Sequence, residues 1–144
     1  MAGTINFFNE DVSLVIKNKI KLRSWIKETI HIEGYTLNEL NFIFCSDLYL
    51  LDLNRQYLNH DTFTDIITFD NSQQDKHLTG DIFISYERVC ENAAEFKASV
   101  TDELHRVIIH GTLHLLGYKD KKKAEKALMT SKEDFHLARR NFVK

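Results

Sequence analysis

The chain has 144 residues, of which 43% are hydrophobic and 28% charged, and its formal net charge is −2 at pH 7. This length and composition predict one globular domain with a single core. The small net charge excludes a protein that binds polyanions through its overall charge, so nucleic-acid contacts would need local basic patches. Two cysteines, Cys45 and Cys90, are too few for a disulfide framework or a cysteine zinc cage.

The amino-terminal segment lacks the basic and apolar regions of a secretory signal. The sequence contains no run of roughly 18 apolar residues, so we expect no membrane span. We therefore expect a protein of the cytoplasm without a membrane partner.

The predicted elements mix strands and helices along the chain. We expect strands at 5–9, 40–45, 65–69 and 81–85, and helices at about 18–32, 47–57, 86–97, 101–116 and 122–141. The polar turn between the last two strands favours an antiparallel pair. The fold class is therefore α+β, with a mixed sheet of about four strands packed with four to five helices in a single layered domain over residues 1–144.

His110 and His114 are the residues that most clearly indicate chemistry. Four positions apart on a helix, they project from the same side and can reach one cation. Gly117 can end the helix with a positive φ, which turns Asp120 back toward them. An i, i+4 histidine pair alone usually has no metal, but the glycine and the carboxylate strengthen the prediction. Two imidazoles and one carboxylate leave positions open for water and substrate.

Three ordered motifs resemble the YbeY family, the metal-dependent endoribonucleases and rRNA maturation factors of bacteria. Its H-G-x-L-H-L-x-G-Y-D-H motif is similar to HGTLHLLGYKD at 110–120, and two further blocks, at 53–69 and 80–85, also match. The resemblance implies single-strand-directed cleavage of RNA, in maturation of the 3′ end of 16S ribosomal RNA and in ribosome quality control. The implied partners are ribosomal RNA and the ribosome or its proteins. The implied cofactor is one divalent ion, Zn²⁺ first, with Mn²⁺, Ni²⁺ or Fe²⁺ as alternatives.

The chain departs from the family pattern at several positions. Asp120 replaces the third histidine, and its charge should make the metal less electrophilic and favour Mn or Fe more than in the family. Leu58 replaces an arginine, and Arg55, about one helical turn earlier, is the candidate to supply that charge. His60 replaces a lysine. The predicted catalytic and metal-binding residues are His110, His114 and Asp120, and the predicted substrate contacts are Arg55, His60 and Lys119.

Gly111 bears on the choice between substrate classes. In H-E-x-x-H proteases a glutamate base follows the first histidine, whereas Gly111 supplies no base. This favours activation of water by the metal, with Asp65, Asp81 or His60 as alternative proton acceptors. The competing functions are a zincin-like metallopeptidase, a non-catalytic ribosome-assembly factor stabilised by metal, and a generic α+β binding domain.

Two basic runs are candidate RNA surfaces, and the alternative for either is a solvated helix face. They are Lys17, Lys19, Lys21, Arg23 and Lys27 near the first helix, and Lys119, Lys121, Lys122, Lys123 and Lys126 beyond the predicted site.

Overall fold

The computed structural model describes residues 3–58 and 64–143. That part of the chain forms a four-stranded sheet and five helices, which confirms the predicted α+β class. The strands are β1 (Thr4–Asn9), β2 (Thr36–Cys45), β3 (Ile66–Asp70) and β4 (His77–Ser85). The helices are α1 (Lys19–Ile32), α2 (Asp47–Tyr57), α3 (Tyr86–Glu95), α4 (Val100–Leu115) and α5 (Lys123–Ala138).

The sheet has the strand order β1-β2-β4-β3. The first two pairings are parallel, and β3 runs antiparallel to β4, as the polar turn between them predicted. Both β2 and β4 begin four residues earlier than expected, because Thr36 pairs with His77 and Leu37 with Leu78. This extension depends on pairing between distant segments, which local sequence patterns do not report.

The two faces of the sheet carry different layers. Alternate residues of β2 and β4, among them Phe42, Phe44, Ile82 and Ile84, face the main core, which also includes apolar residues of α1, α3, α4 and α5. The opposite face carries α2, whose Leu50 belongs to a smaller cluster with Cys45 and Ile67. Helix α4 lies over β3 and β4 and is thereby placed at one edge of the sheet.

Serine residues begin three of the helices. Ser46, Ser85 and Ser99 each accept a hydrogen bond from the backbone N–H three residues later. Ser99 therefore caps α4. Ile20, at the start of α1, is 80% exposed and lies outside the core. Within residues 3–58 and 64–143, every helix is too short or too polar to span a bilayer.

The two cysteines are free thiols, as expected from their number. Cys45 is fully buried, and burial, followed by the negative charges of Asp11, Glu10 and Asp47, raises its pKa to about 12. A thiol with such a pKa stays protonated and acts as a core side chain.

Candidate metal centre

Gly111 lets α4 lie close against the sheet. A Cβ atom at this position would lie 2.5 Å from Cδ1 of Ile66 and 3.0 Å from Cγ2 of Ile82. Glycine at this position therefore allows close packing of α4 on the sheet, and it also supplies no catalytic base. With Gly111 against β3 and β4, the neighbouring His110 and the next-turn His114 remain about a quarter exposed. The helix therefore presents both imidazoles at the rim of the core, within reach of solvent.

Each imidazole has its Nδ1 atom engaged by an acceptor. The Nδ1 of His110 lies 2.6 Å from Oε2 of Glu133, and that of His114 lies 2.9 Å from the backbone oxygen of Tyr118. A carbonyl oxygen and a carboxylate both accept, so each Nδ1 carries the hydrogen and donates it. The Nε2 atoms are consequently unprotonated in the neutral rings, which leaves a free electron pair on each.

The turn after α4 brings Asp120 to these two nitrogens. Gly117 has φ +100°, and its N–H donates to the backbone oxygen of His114, as expected for a helix end of this kind. Oδ2 of Asp120 lies 3.2 Å from Nε2 of His110 and 3.2 Å from Nε2 of His114. The two Nε2 atoms are 3.0 Å apart. Three donor atoms thus form a nearly equilateral triangle.

This triangle fits a divalent metal ion. Donor atoms that each lie about 2.0–2.1 Å from one zinc ion are roughly 3.0–3.4 Å apart, depending on the bond angles. His110, His114 and Asp120 are also the cluster of three such side chains found among the described residues. With neutral rings none of the three converging atoms carries a proton, so their electron pairs repel one another unless a cation lies between them. The predicted trio is therefore brought together with geometry that suits a metal.

The surrounding charge makes His110 a strong electron donor. Burial is the largest single influence and lowers its pKa, but the hydrogen bond to Glu133 and the charges of Glu133, Asp120 and Asp65 outweigh it. The net result is a pKa of His110 above its usual value. The same negative charges would attract a cation to the Nε2 atom.

Glu133 of α5 and Arg106 of α4 also belong to this region, although no sequence motif indicates either of them. Glu133 of α5 binds His110 through Oε2 and Arg106 through Oε1, at 2.6 and 2.7 Å. A sequence signal existed, because Glu133 occupies the same buried face of α5 as Met129 and His136. A carboxylate on a buried helix face requires a partner. That this partner is His110 follows only from how α5 packs on α4.

The other predicted residues are placed less centrally. Arg55 lies in the last turn of α2, a helix on the opposite face of the sheet from α4. Lys119 is exposed and directly precedes Asp120. His60 lies outside the described residues. The structure brings neither Arg55 nor Lys119 into the triangle, and the substrate roles of all three stay predictions.

Of the alternative proton acceptors, Asp81 is in the wrong place. Its neighbours Gly80 and Ile82 face α4, so its side chain points to the other face, where it accepts from Asn41 and Asn71. Asp65 directly precedes β3, and its charge is one of those that raise the pKa of His110. Asp65 is thus the better placed of these two carboxylates.

Three other described histidines, His31, His105 and His136, lie outside the triangle. His105 is buried between Trp25 and Phe142, and its Nδ1 accepts from Arg140. His136 is fully buried and donates from Nε2 to Glu33. His31 is exposed. Two of these three histidines are therefore core side chains and one lies at the surface.

The chain is similar to known proteins over most of its length, both in sequence and in structure. A family model described as Endoribonuclease YbeY matches residues 5–141. The chain is 51% identical to "Endoribonuclease YbeY" of Cytophaga hutchinsonii, over 96% of this chain and 97% of that protein. It is 50% identical to the protein of the same name in Flavobacterium psychrophilum, over 90% and 92%. The solution structure of TM1509 from Thermotoga maritima is similar, with a TM-score of 0.63, 29% identity and coverage of 93% and 87%.

Proposed function

Since the chain belongs to the endoribonuclease YbeY family, we propose that it cleaves single-stranded RNA in a metal-dependent reaction. In this proposal His110, His114 and Asp120 hold one divalent ion, with Zn²⁺ first and Mn²⁺, Ni²⁺ or Fe²⁺ as alternatives. The RNA is ribosomal, cleaved during maturation of the 3′ end of 16S ribosomal RNA and in ribosome quality control. The partners are the ribosome or its proteins, and the place of action is the cytoplasm.

The observation that carries the proposal is the convergence of three electron-pair donors at 3.0–3.2 Å. A bound divalent ion lowers the pKa of water and polarises a phosphoryl oxygen, the two needs of phosphodiester cleavage. The chain's own contribution is to hold the imidazoles in one tautomer and to leave the outer side of the triangle open. The partial exposure of all three side chains gives a substrate access to that side.

The surroundings of His114 offer space for part of a nucleotide chain. A cavity of about 420 Å³ borders His114 and is lined by polar and charged residues between Asp70 and His77, Asp75 among them, together with Tyr35. Its lining includes Gln73, Gln74, Lys76 and His77. Polar side chains and an aromatic ring are groups that contact single-stranded bases and sugars. A strand of RNA across the triangle would reach this cavity on one side.

Lysines beyond the triangle supply positive charge for the phosphates. Lys119, Lys121, Lys122, Lys123 and Lys126 are exposed, and they follow His114 along the chain up to the first turns of α5. The other candidate surface, near α1, has one fewer side chain available for RNA. Its Arg23 donates to the backbone oxygen of Ile5 and lies over the ring of Phe7. The lysines beside the metal triangle are therefore the better candidate for binding the RNA backbone.

A metallopeptidase is not supported by these observations. Gly111 occupies the position of the protease glutamate and is packed against Ile66 and Ile82, which leaves no room for a side chain. A non-catalytic assembly factor would keep the metal for stability alone. The partial exposure of the triangle argues for catalysis, because purely structural zinc sites are closed.

RNA cleavage by the purified protein tests the proposal. Labelled single-stranded RNA, the same RNA annealed to its complement, and casein are incubated with protein and added Zn²⁺ or Mn²⁺. We expect cleavage of the single strand alone, reduced at least about 100-fold in His114→Ala. The matched control is His31→Ala, an exposed histidine away from the triangle. Equal cleavage by wild type and His114→Ala would contradict the proposed mechanism.

A further inference from the structure

Glu133 is a buried carboxylate with both oxygens in use. Oε1 accepts from Nη1 of Arg106 at 2.7 Å, and Oε2 accepts from Nδ1 of His110 at 2.6 Å. Its side chain is 8% exposed. A buried carboxylate is costly unless charged or hydrogen-bonding partners surround it, and these two contacts supply such partners.

The helices fix the order of these three groups. Arg106 and His110 are four residues apart on α4 and therefore share one face, and Glu133 enters between them from α5. Arg106 is held from its other side by Asp134, at 2.6 Å. Guanidinium, carboxylate and imidazole thus form a chain that ends at the Nε2 atom of the metal triangle.

We propose that Glu133 is a positioning residue that sets the tautomer and the donor strength of His110. By accepting the Nδ1 hydrogen, its charged oxygen keeps Nε2 free for the metal and increases the electron density on the ring. His114 has only a neutral partner for this purpose, the backbone oxygen of Tyr118. The inference rests on the proposed metal-binding role of His110.

The substitution Glu133→Gln tests this with little change of shape. Arg106 has only donors, so the Gln oxygen must turn to Arg106 and the Gln amide nitrogen to His110. Nδ1 of His110 must then accept a hydrogen bond, which moves the ring hydrogen to Nε2. That hydrogen would occupy the nitrogen that faces Asp120 and His114.

The tautomer can be read directly by nitrogen-15 NMR of the metal-free protein, at a pH where the imidazoles are neutral. The His110 signals are assigned by their loss in His110→Gln. In wild type we expect hydrogen on Nδ1 of His110, and in Glu133→Gln on Nε2. The matched control is Asp134→Asn, which alters the exposed partner of Arg106 and should leave the wild-type tautomer. A merely structural role of Glu133 would not move this hydrogen.

Affinity for the metal alone is the second readout. Competition of Zn²⁺ against a chelating dye should show affinity 10–100-fold lower in Glu133→Gln, a loss typical of second-sphere carboxylates, and unchanged affinity in Asp134→Asn. Hydrogen on Nε2 of His110 in the wild type would overturn the inference even if the variant fails to fold. Equal tautomer and affinity in wild type and Glu133→Gln would overturn it as well. A protein with the expected tautomers that does not cleave RNA would contradict the proposed function and leave this inference standing.

Discussion

The Nε2 atoms of His110 and His114 face each other at 3.0 Å, and in the neutral rings neither carries a hydrogen. Both hydrogens are held on Nδ1, by a carboxylate in one ring and by a backbone oxygen in the other. Two electron pairs at this distance, with a carboxylate oxygen 3.2 Å from both, form a site that a cation stabilises. This relationship links the helix pattern in the sequence to the proposed chemistry.

The turn that delivers Asp120 can be tested at its glycine. Gly117 and Gly34 both have positive φ, +100° and +87°, and neither is crowded. Alanine at either position should destabilise the fold by about 1–2 kcal/mol, because an L-residue is strained in this conformation. Only Gly117→Ala should also weaken Zn²⁺ binding, because Gly117 lies in the turn between His114 and Asp120, whereas Gly34 ends α1, a helix that carries none of the three donor residues. Chemical denaturation and metal titration measure the two effects, and equal metal affinity in both variants would contradict this role of the turn.

Asp120 is the proposed ligand at which this chain departs from the family motif. Asp120→Ala should reduce Zn²⁺ affinity at least about 100-fold, because one of three donors is lost. Asp120→His should retain binding and favour Zn²⁺ over Mn²⁺ more than wild type does, since imidazole is the softer ligand. Lys119→Ala, next to it and exposed, is the control. Competitive titration of the two metals gives the ratio, and an unchanged ratio in Asp120→His would show that Asp120 does not bind the ion directly.

How far the sequence predicts this centre differs from residue to residue. The i, i+4 spacing of His110 and His114 and the positive φ of Gly117 follow from helix geometry, so local sequence suffices for them. The acceptor for His110 comes from α5, which begins only after the turn that carries Asp120, and its packing on α4 is set by the tertiary fold. The sequence therefore does not identify Glu133 as the partner of His110, although a carboxylate on a buried helix face requires some partner.

The fold shows the same division. The antiparallel turn between β3 and β4 was predictable, since it is a local feature. The early starts of β2 and β4 at Thr36 and His77 were not, because each strand is extended by pairing with the other across the sheet. Apolar character likewise does not indicate that Ile20 is exposed, since an apolar residue at a helix end need not contact the core.

Buried His105 should make the protein sensitive to acid. Burial, and next the charge of Arg140, lower its pKa from 6.5 to about 4 despite the opposing charge of Asp102. The folded state therefore favours the neutral ring, and this stability is present above about pH 6.5 and lost as the pH falls toward 4. Between pH 7 and 4.5, wild type should lose about 2–3 kcal/mol more unfolding free energy than His105→Gln. Denaturant titrations at both values measure this, and parallel losses would contradict the assignment.

The two lysine surfaces predict different salt dependences of RNA binding. Lys119→Gln, Lys121→Gln and Lys123→Gln together should weaken binding and reduce the slope of log affinity against log salt by about 2, at roughly 0.7 per phosphate contact on a single strand. The matched triple variant carries Lys17→Gln, Lys19→Gln and Lys21→Gln, and should leave the slope unchanged. Fluorescence anisotropy with a non-cleaved RNA gives both slopes. A larger change of slope in the Lys17, Lys19 and Lys21 variant would show that RNA binds at the start of α1 instead.

The most direct test of the central claim is the metal content of the purified protein. Elemental analysis after dialysis against limiting Zn²⁺ and Mn²⁺ should find one divalent ion per chain in wild type, and it names the ion that is preferred. The double variant His110→Ala, His114→Ala should contain none, while His31→Ala should match wild type. A wild-type protein without bound metal, or a double variant with the same content as wild type, would contradict the claim that His110, His114 and Asp120 form the metal site.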